Sequence, residues 1–155
     1  MRLSRGARRV GTLFLTLMFS WPSWPHVSHS GPERKLFESL NGERRKQGLH
    51  TLKWNRALAT AARRHAQEMS KRKSLEHRLP GEPSSPARAN KAGAKFVSIS
   101  ENIVRSASAQ DAHGQFMKSP AHRANVLDRD MDSVGVGVAK RGGELFVVED
   151  FAKAK

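Results

Sequence analysis

The chain has 155 residues, of which 28 are basic and 14 are acidic, so its formal net charge at pH 7 is +14. Cysteine is absent, which excludes a disulfide framework and lipid attachment at a processed N-terminal cysteine. Tyrosine is also absent, and two of the three tryptophans lie within the first 24 residues. Few aromatic side chains remain on which bases could stack, which argues against nucleic-acid binding.

The first thirty residues have the pattern of a secretory signal peptide. Four arginines between positions 2 and 9 precede an apolar run from Gly11 to Trp21, which is too short to span a bilayer comfortably. Ser28 and Ser30 place small residues where a signal peptidase requires them. We therefore predict cleavage after Ser30 and an extracytoplasmic location, periplasmic or secreted. The alternative is an uncleaved N-terminal anchor.

Residues 31–155 have the length of one domain with a single core. Four of the 28 basic residues and none of the 14 acidic residues lie in the predicted signal, so this domain carries a net charge of +10. Such a charge favours an anionic partner, which outside a cell is an envelope component, a glycan or a lipid. The alternative is a solvated basic surface without a specific partner. We expect a monomer that does not bind nucleic acid.

Helical periodicity dominates the first part of this domain. Leu36 and Leu40 indicate a helix that continues through a charged run and ends at Gly48 in a left-handed cap. Asn55 is placed to cap a second helix, in which apolar residues recur every three or four positions. His65 lies on the core face of that helix and is predicted to be a structural histidine. The buried face consists of Leu58, Ala61, Ala62, His65, Ala66 and Met69.

The middle of the chain is less regular. Three prolines between Arg78 and Ala94 predict an irregular loop with room for a short helix. A capping box at Ser108 predicts another helix, on which His113 is expected to face solvent. Ser119 and Pro120 then restart the helix in a new direction, with the serine as its N-cap and the proline at its first position.

Two strands are predicted at the end of the chain. In Val134 to Val138 the valines share one face, and the glycines between them leave the other face open to close approach by another layer. A hairpin turn over residues 141–144 leads to a partner strand from Leu145 to Phe151. Helices followed by an antiparallel hairpin predict an α+β sandwich.

Two imidazoles and a carboxylate are the candidate chemical groups of this chain. Histidine and carboxylate side chains bind metal ions or transfer protons near neutral pH. His77, Glu101 and His122 are separated by 24 and 21 residues, so only the fold can bring them together. All three are predicted ligands for zinc or another divalent ion. In one alternative, Glu101 fixes the tautomer of a histidine. In another, the three groups form a polar network without metal.

The order of these motifs resembles a bacterial CAP domain, the superfamily of cysteine-rich secretory proteins, antigen 5 and pathogenesis-related 1, also called the SCP domain. The resemblance runs from about Leu36 to the C-terminus. It implies a three-layer α-β-α sandwich, an extracytoplasmic location and a shallow cleft that holds two histidines and two acids. The motifs that carry it are Asn41, Gly48-Leu49, Leu52, Trp54, His65-Ala66, Met69, His77, Glu101-Asn102-Ile103, Ser119 to Leu127 and Val134 to Gly137.

Carried onto this chain, the resemblance assigns the two family histidines to His77 and His122 and the first family glutamate to Glu101. Ser100 stands where the family signature has glycine. Ser119 stands where members with the full set have the second glutamate. The resemblance therefore implies a cleft with three of the four family groups.

The predicted function is that of a secreted binding module whose cleft recognises an envelope or extracellular ligand. Asn102, Ser119 and Arg123 are predicted to border this cleft, and Arg123 is expected to pair with a local acid or to contact an anionic ligand. Ser119 is more simply a helix cap than a nucleophile, and no catalytic residue is assigned. The alternatives are a metal-dependent extracytoplasmic hydrolase and a basic structural or interaction protein with a vestigial cleft.

Overall fold

The computed structural model describes residues 31–155. The predicted signal peptide, residues 1–30, lies outside the described residues. Within residues 31–155, no helix is both long enough and apolar enough to cross a membrane. The elements are α1 (Gly31–Lys46), β1 (Lys53–Trp54), α2 (Arg56–Arg72), α3 (Ser85–Lys91), β2 (Phe96–Ser106), α4 (Ala109–Lys118), α5 (Pro120–Val126), β3 (Ser133–Arg141) and β4 (Glu144–Ala154).

The strands form one mixed sheet in the order β1-β3-β4-β2. Strands β3 and β4 are the predicted antiparallel hairpin, closed where Arg141 pairs with Glu144. Strand β2 pairs antiparallel with β4 and forms an edge of the sheet, and β1 adds two residues parallel to β3. The sequence pattern did not predict β2, because serines and polar residues at its centre interrupt the apolar alternation of a strand.

Glycines let α2 pack directly on one face of this sheet. A Cβ atom built on Gly135 would overlap the backbone of Leu58 and Ala59, and one on Gly137 would overlap that of Ala62 and Arg63. The predicted close approach of another layer at the glycine positions is therefore confirmed. This layer buries Ala62, Ala66, Met69, Leu79, Ile103, Phe146 and Val148 together.

The opposite face of the sheet packs against α1, α4 and α5. Valines of β3 and β4 meet Leu36 and Leu40 of α1 and Phe116 of α4 in one cluster of buried side chains. The sheet therefore has helices on both faces, and the predicted α+β three-layer α-β-α sandwich is confirmed.

The caps of the first two helices follow the predicted pattern. Helix α1 is already formed at Gly31, the first described residue. It is followed by Gly48 with φ +66°, and the Leu49 N–H donates to the Arg44 carbonyl at 2.9 Å. Helix α2 begins after Asn55, whose side chain accepts hydrogen bonds from the N–H groups of Ala57 and Leu58. The local rules for caps therefore determine these boundaries.

Two buried polar residues of α1 join distant parts of the chain. Asn41 exchanges hydrogen bonds with the backbone of Leu52 at 2.7 and 3.1 Å. Arg44 is buried, and its guanidinium donates to the carbonyls of Val126, Asp128 and Met131 at 2.7 to 3.3 Å. Helix α1 thereby holds the segment that follows α5.

Candidate functional site

The three candidate metal ligands come from different layers of the sandwich. Glu101 lies in the middle of the edge strand β2, His77 in the loop between α2 and α3, and His122 on α5. Because β2 is an edge strand, groups from the two helical layers can approach each other across it. The fold thus brings these three residues to the same edge of the sheet.

His77 and Glu101 form a hydrogen-bonded pair. The Nδ1 atom of His77 lies 2.9 Å from Oε1 of Glu101. A carboxylate oxygen accepts, so Nδ1 is the donor and Nε2 of the neutral ring is left as the acceptor. The His77 side chain is 58 % exposed, whereas that of Glu101 is 5 % exposed. The pair therefore presents an oriented imidazole to solvent on a buried carboxylate.

Arg88 holds the His77–Glu101 pair in place from its buried side. Its Nη2 donates to Oε2 of Glu101, and its Nη1 donates to the carbonyls of His77 and Pro83 at 3.0 and 2.9 Å. The side chain of Arg88 is 6 % exposed. One guanidinium thus holds both the carboxylate and the backbone of the histidine loop. Arg88 belongs to α3, the short helix for which the predicted irregular loop left room, but the sequence pattern did not single out this arginine.

A second carboxyl group adjoins Glu101. Asp150 of β4 lies directly opposite Glu101 in the strand register and is almost completely buried. Burial, together with the charge of Glu101, raises the pKa of Asp150 well above its usual range. Ser85 donates to Oδ1 of Asp150 at 3.2 Å. The site therefore contains two neighbouring acids, and burial disfavours the charged form of Asp150.

His122 lies on the other side of the edge strand. Its ring stacks edge-on against Phe116, with 5.4 Å between ring centroids and 75° between planes. Burial first, and the nearby His77 second, lower the pKa of His122. The two imidazoles are therefore close enough to interact electrostatically, and both effects disfavour the charged form of His122.

Asn102 supports α5 from inside the sheet. It is fully buried, and its Nδ2 donates to the carbonyl of His122 at 3.1 Å and to Oε2 of Glu149 at 3.4 Å. Its Oδ1 accepts from Nδ2 of Asn125 at 2.8 Å. Burial raises the pKa of Glu149 to about 8. Asn102 was predicted to border the cleft, but because it is buried it positions the His122 segment without facing a ligand.

Ser119 and Arg123 have different roles from the histidines. Ser119 occupies the predicted N-cap position of α5, yet its side chain makes no capping hydrogen bond. Arg123 is exposed and lines a separate shallow groove with Met117, Lys118 and Leu127. Within the part of the chain that the structure describes, Arg123 forms no ion pair, so the expected pairing with a local acid is wrong.

His65 and His113 belong to the structure of the domain. His65 is fully buried, with Nδ1 2.9 Å from Oε1 of Glu82 and Nε2 3.0 Å from the carbonyl of Glu76, which confirms its structural role. His113 was expected to face solvent, but its side chain is only 15 % exposed and Nε2 lies 3.8 Å from Glu43. Contact between α1 and α4 explains this difference, since one helix alone cannot reveal which of its faces a second helix covers.

The donor atoms determine what the cleft can bind. No group of three or more His, Asp or Glu side chains among residues 31–155 is arranged to hold a metal ion. Both oxygens of Glu101 are engaged by His77 and Arg88. This geometry matches the alternative in which Glu101 orients a histidine, while the metal set of His77, Glu101 and His122 stays a prediction.

Comparison with known proteins places this chain in a family. The model of the Cysteine-rich secretory protein family, CAP, matches residues 37–151. The chain is 30% identical over 116 residues to the uncharacterized protein YkwD of Bacillus subtilis (strain 168), covering 74% of this chain and 45% of that protein. The chain therefore spans less than half the length of this relative.

Solved structures show the same fold. An extracellular protein containing a SCP domain from Bacillus anthracis str. Ames superposes with a TM-score of 0.75 at 24% identity, covering 79% of this chain and 40% of that one. An outer surface protein from Borrelia burgdorferi superposes with a TM-score of 0.74 at 20% identity, covering 80% and 93% of the two chains. The chain belongs to the Cysteine-rich secretory protein (CAP) family.

Proposed function

We propose that this chain is an exported binding protein whose ligand contacts His77 and His122 at the edge of the sheet. The observation that carries the proposal is the orientation of His77, whose Nδ1 is bonded to Glu101 while Arg88 holds the same carboxylate. A hydrogen-bond network of this kind pre-organises a side chain for binding. The extracellular and surface proteins of the same fold support the extracytoplasmic location.

The donor set fits a weakly held divalent ion. With its Nδ1 proton directed at Glu101, His77 offers Nε2 as a ligand atom, and the lowered pKa of His122 favours the neutral form that a metal requires. Two imidazoles fall short of the four ligands of a structural zinc site. A bound ion would supply a Lewis acid that attracts an anionic ligand group.

The geometry favours binding over hydrolysis. Glu101 would be the general base of a hydrolase, but its Oε1 already accepts from His77 and its Oε2 from Arg88, which is the arrangement of an orienting carboxylate. Ser119 is the N-cap residue of α5. Among residues 31–155, no side chain that could act as a base is hydrogen-bonded to its hydroxyl. The engaged carboxylate is therefore assigned an orienting role.

Calorimetric titration of Zn²⁺ into the purified protein tests this proposal. We expect His77→Ala and His122→Ala each to weaken zinc binding at least about tenfold, because each removes one of two ligands. Glu101→Gln keeps an acceptor oxygen for His77 but removes its charge, and a loss of about tenfold or more is expected of such an orienting residue.

His50→Ala is the matched control, because His50 is exposed and lies outside the cleft. Its zinc titration should equal that of the wild type. Identical titration curves for His77→Ala, His122→Ala and the wild type would rule out the metal proposal. Hydrolysis of peptide, ester or glycan probes by the wild type, abolished in Glu101→Gln, would instead support the hydrolase alternative.

A further inference from the structure

A groove rich in basic residues lies on the α2 face of the sheet, near the β3–β4 hairpin. Its volume is about 310 Å³. The lining comes from three separate segments, the end of α2, strand β2 and the β3–β4 hairpin. Three of the lining residues are cationic and one is acidic; the lining consists of Lys73, Arg105, Arg141, Gly142, Glu144 and Phe146.

Lys73 occupies a backbone conformation that normally selects glycine. It follows the last residue of α2 with φ 55° and ψ 32°, and within residues 31–155 it is the single residue other than glycine with a positive φ. Glycine is strongly preferred at this position after a helix because it lacks a Cβ atom. Strained conformations of this kind are concentrated at functional sites. The lysine thus adds a cation to the groove where glycine would be the more stable residue.

Arg141 is held against the end of the same helix. Its Nη1 donates to the carbonyls of Ser70 and Lys71 at 3.2 and 3.3 Å. A guanidinium has five N–H donors, and these two bonds of the described chain use one nitrogen. These bonds hold the guanidinium against the end of α2, and among residues 31–155 its Nε and Nη2 donate no hydrogen bond.

Arg105 completes the three cations. It lies on β2 opposite Phe146 in the strand register. Its Nε is 3.6 Å from Oε1 of Glu144, and both side chains are half exposed. An exposed ion pair of this length is weak, so a ligand can replace it. With Glu144 as the acid of the groove, its lining carries a net charge of +2.

We propose that this groove binds a phosphate group, as a monoester or a diester. Two arginines and one lysine around one small groove match the charge and the several acceptor oxygens of phosphate, for which the planar guanidinium is suited. Arg105 lies four residues along β2 from Glu101, which corresponds to about 13 Å. The phosphate site is therefore separate from the histidine cleft and does not depend on its proposed function.

Titrations followed by NMR test this site, with inorganic phosphate and glycerol 1-phosphate as probes at constant ionic strength. We expect shifts in the amide signals of Lys73, Gly142 and Gly143. Lys73→Gly and Arg105→Gln should each weaken binding about fivefold or more, since each removes a charge-assisted contact. Lys73→Gly should also raise the midpoint of thermal unfolding, so weaker binding in that variant is not a result of misfolding.

Lys153→Gln is the matched control, because Lys153 is an exposed cation of β4 at the opposite end of the same sheet. Vesicles of phosphatidylglycerol and of phosphatidylcholine provide the membrane arm of the test. Binding of the soluble probes assigns the site to free or polymer-borne phosphate. Binding of phosphatidylglycerol vesicles alone assigns it to a lipid headgroup. Both outcomes support the site if Lys73→Gly weakens the binding and Lys153→Gln does not.

Two results would overturn the proposal. One is the absence of binding to the soluble probes and to both kinds of vesicle. The other is an equal loss of affinity in Lys73→Gly and Lys153→Gln, because this would show that net charge, and not the groove, attracts the anion.

Discussion

Glu149 and Asp150 show how adjacent residues of one strand serve different faces of the sheet. Glu149 lies opposite Asn102, on the face covered by α1, α4 and α5, while Asp150 lies opposite Glu101, on the face covered by α2 and α3. Both carboxyl groups are buried, and burial raises both pKa values. Alternation of side chains along a strand thus places one buried acid with a raised pKa behind each half of the candidate site.

Glu149→Gln should change how stability depends on pH. The pKa of Glu149 in the folded protein is about 8, above its ordinary value of 4.5. Its stabilising contribution is therefore complete below about pH 4.5 and is lost as pH rises through 8. Over this range the free energy of unfolding should fall by up to about 1.4 kcal/mol per pH unit through this group. Glutamine does not titrate and keeps an acceptor for Asn102.

Denaturant unfolding at pH 5, 6, 7 and 8 checks this prediction. The difference in free energy of unfolding between Glu149→Gln and the wild type should grow with pH in favour of the variant. Glu38→Gln changes an exposed glutamate of α1 and should show no such trend. A difference for Glu149→Gln that stays constant across the pH series would contradict the raised pKa.

At the residue scale, sequence motifs identified the three candidate ligand groups but not the buried residues that hold them in place. The family motifs singled out His77, Glu101 and His122 before the fold was known. Arg88 and Glu149 were missed, because a charged residue in the sequence has no local signal that it will be buried. Only the tertiary contacts reveal that these charges are enclosed.

At the element scale, the spacing between α2 and the sheet depends on two glycines. Gly135 and Gly137 alternate with valines, so the small residues face α2 and the valines face the opposite helices. This division was predicted from the sequence because a strand has a period of two residues.

Gly135→Ala should destabilise the domain by about 3 kcal/mol or more or prevent it from folding, since the new Cβ overlaps the backbone of α2. Chemical unfolding and the yield of soluble protein measure this effect. Gly114→Ala is the matched control: a Cβ there meets nothing within 4 Å, and alanine in α4 should stabilise the helix by up to about 1 kcal/mol. Wild-type stability of Gly135→Ala would show that the layers are not in close contact.

At the scale of the whole molecule, Arg44 joins helix α1 to the segment at and after the end of α5. In the sequence it is one residue of a charged run in the predicted helix, yet it is buried against the carbonyls of Val126, Asp128 and Met131. Because His122 lies on α5, the position of one side of the cleft depends on a residue of α1.

Arg44→Met should lower the free energy of unfolding by on the order of 3–5 kcal/mol, because buried carbonyls lose their donor. Zinc affinity should fall as well if the folded variant no longer holds α5 in place. Arg45→Met alters the exposed neighbouring residue and should change stability by no more than about 0.5 kcal/mol. Thermal and denaturant unfolding of the two variants measure this difference in stability. Equal stabilities of Arg44→Met and Arg45→Met would contradict the role of Arg44.

The sequence by itself determined the family, most helices and their caps, the final hairpin and three groups of the candidate cleft. These features depend on residues close together in the chain or on ordered motifs. Tertiary structure alone decided the pairing of β2 with β4, the burial of Arg44, Arg88 and Glu149, and the engagement of both oxygens of Glu101. Each depends on contacts between distant segments, and the free energy of such contacts has no counterpart in local sequence patterns.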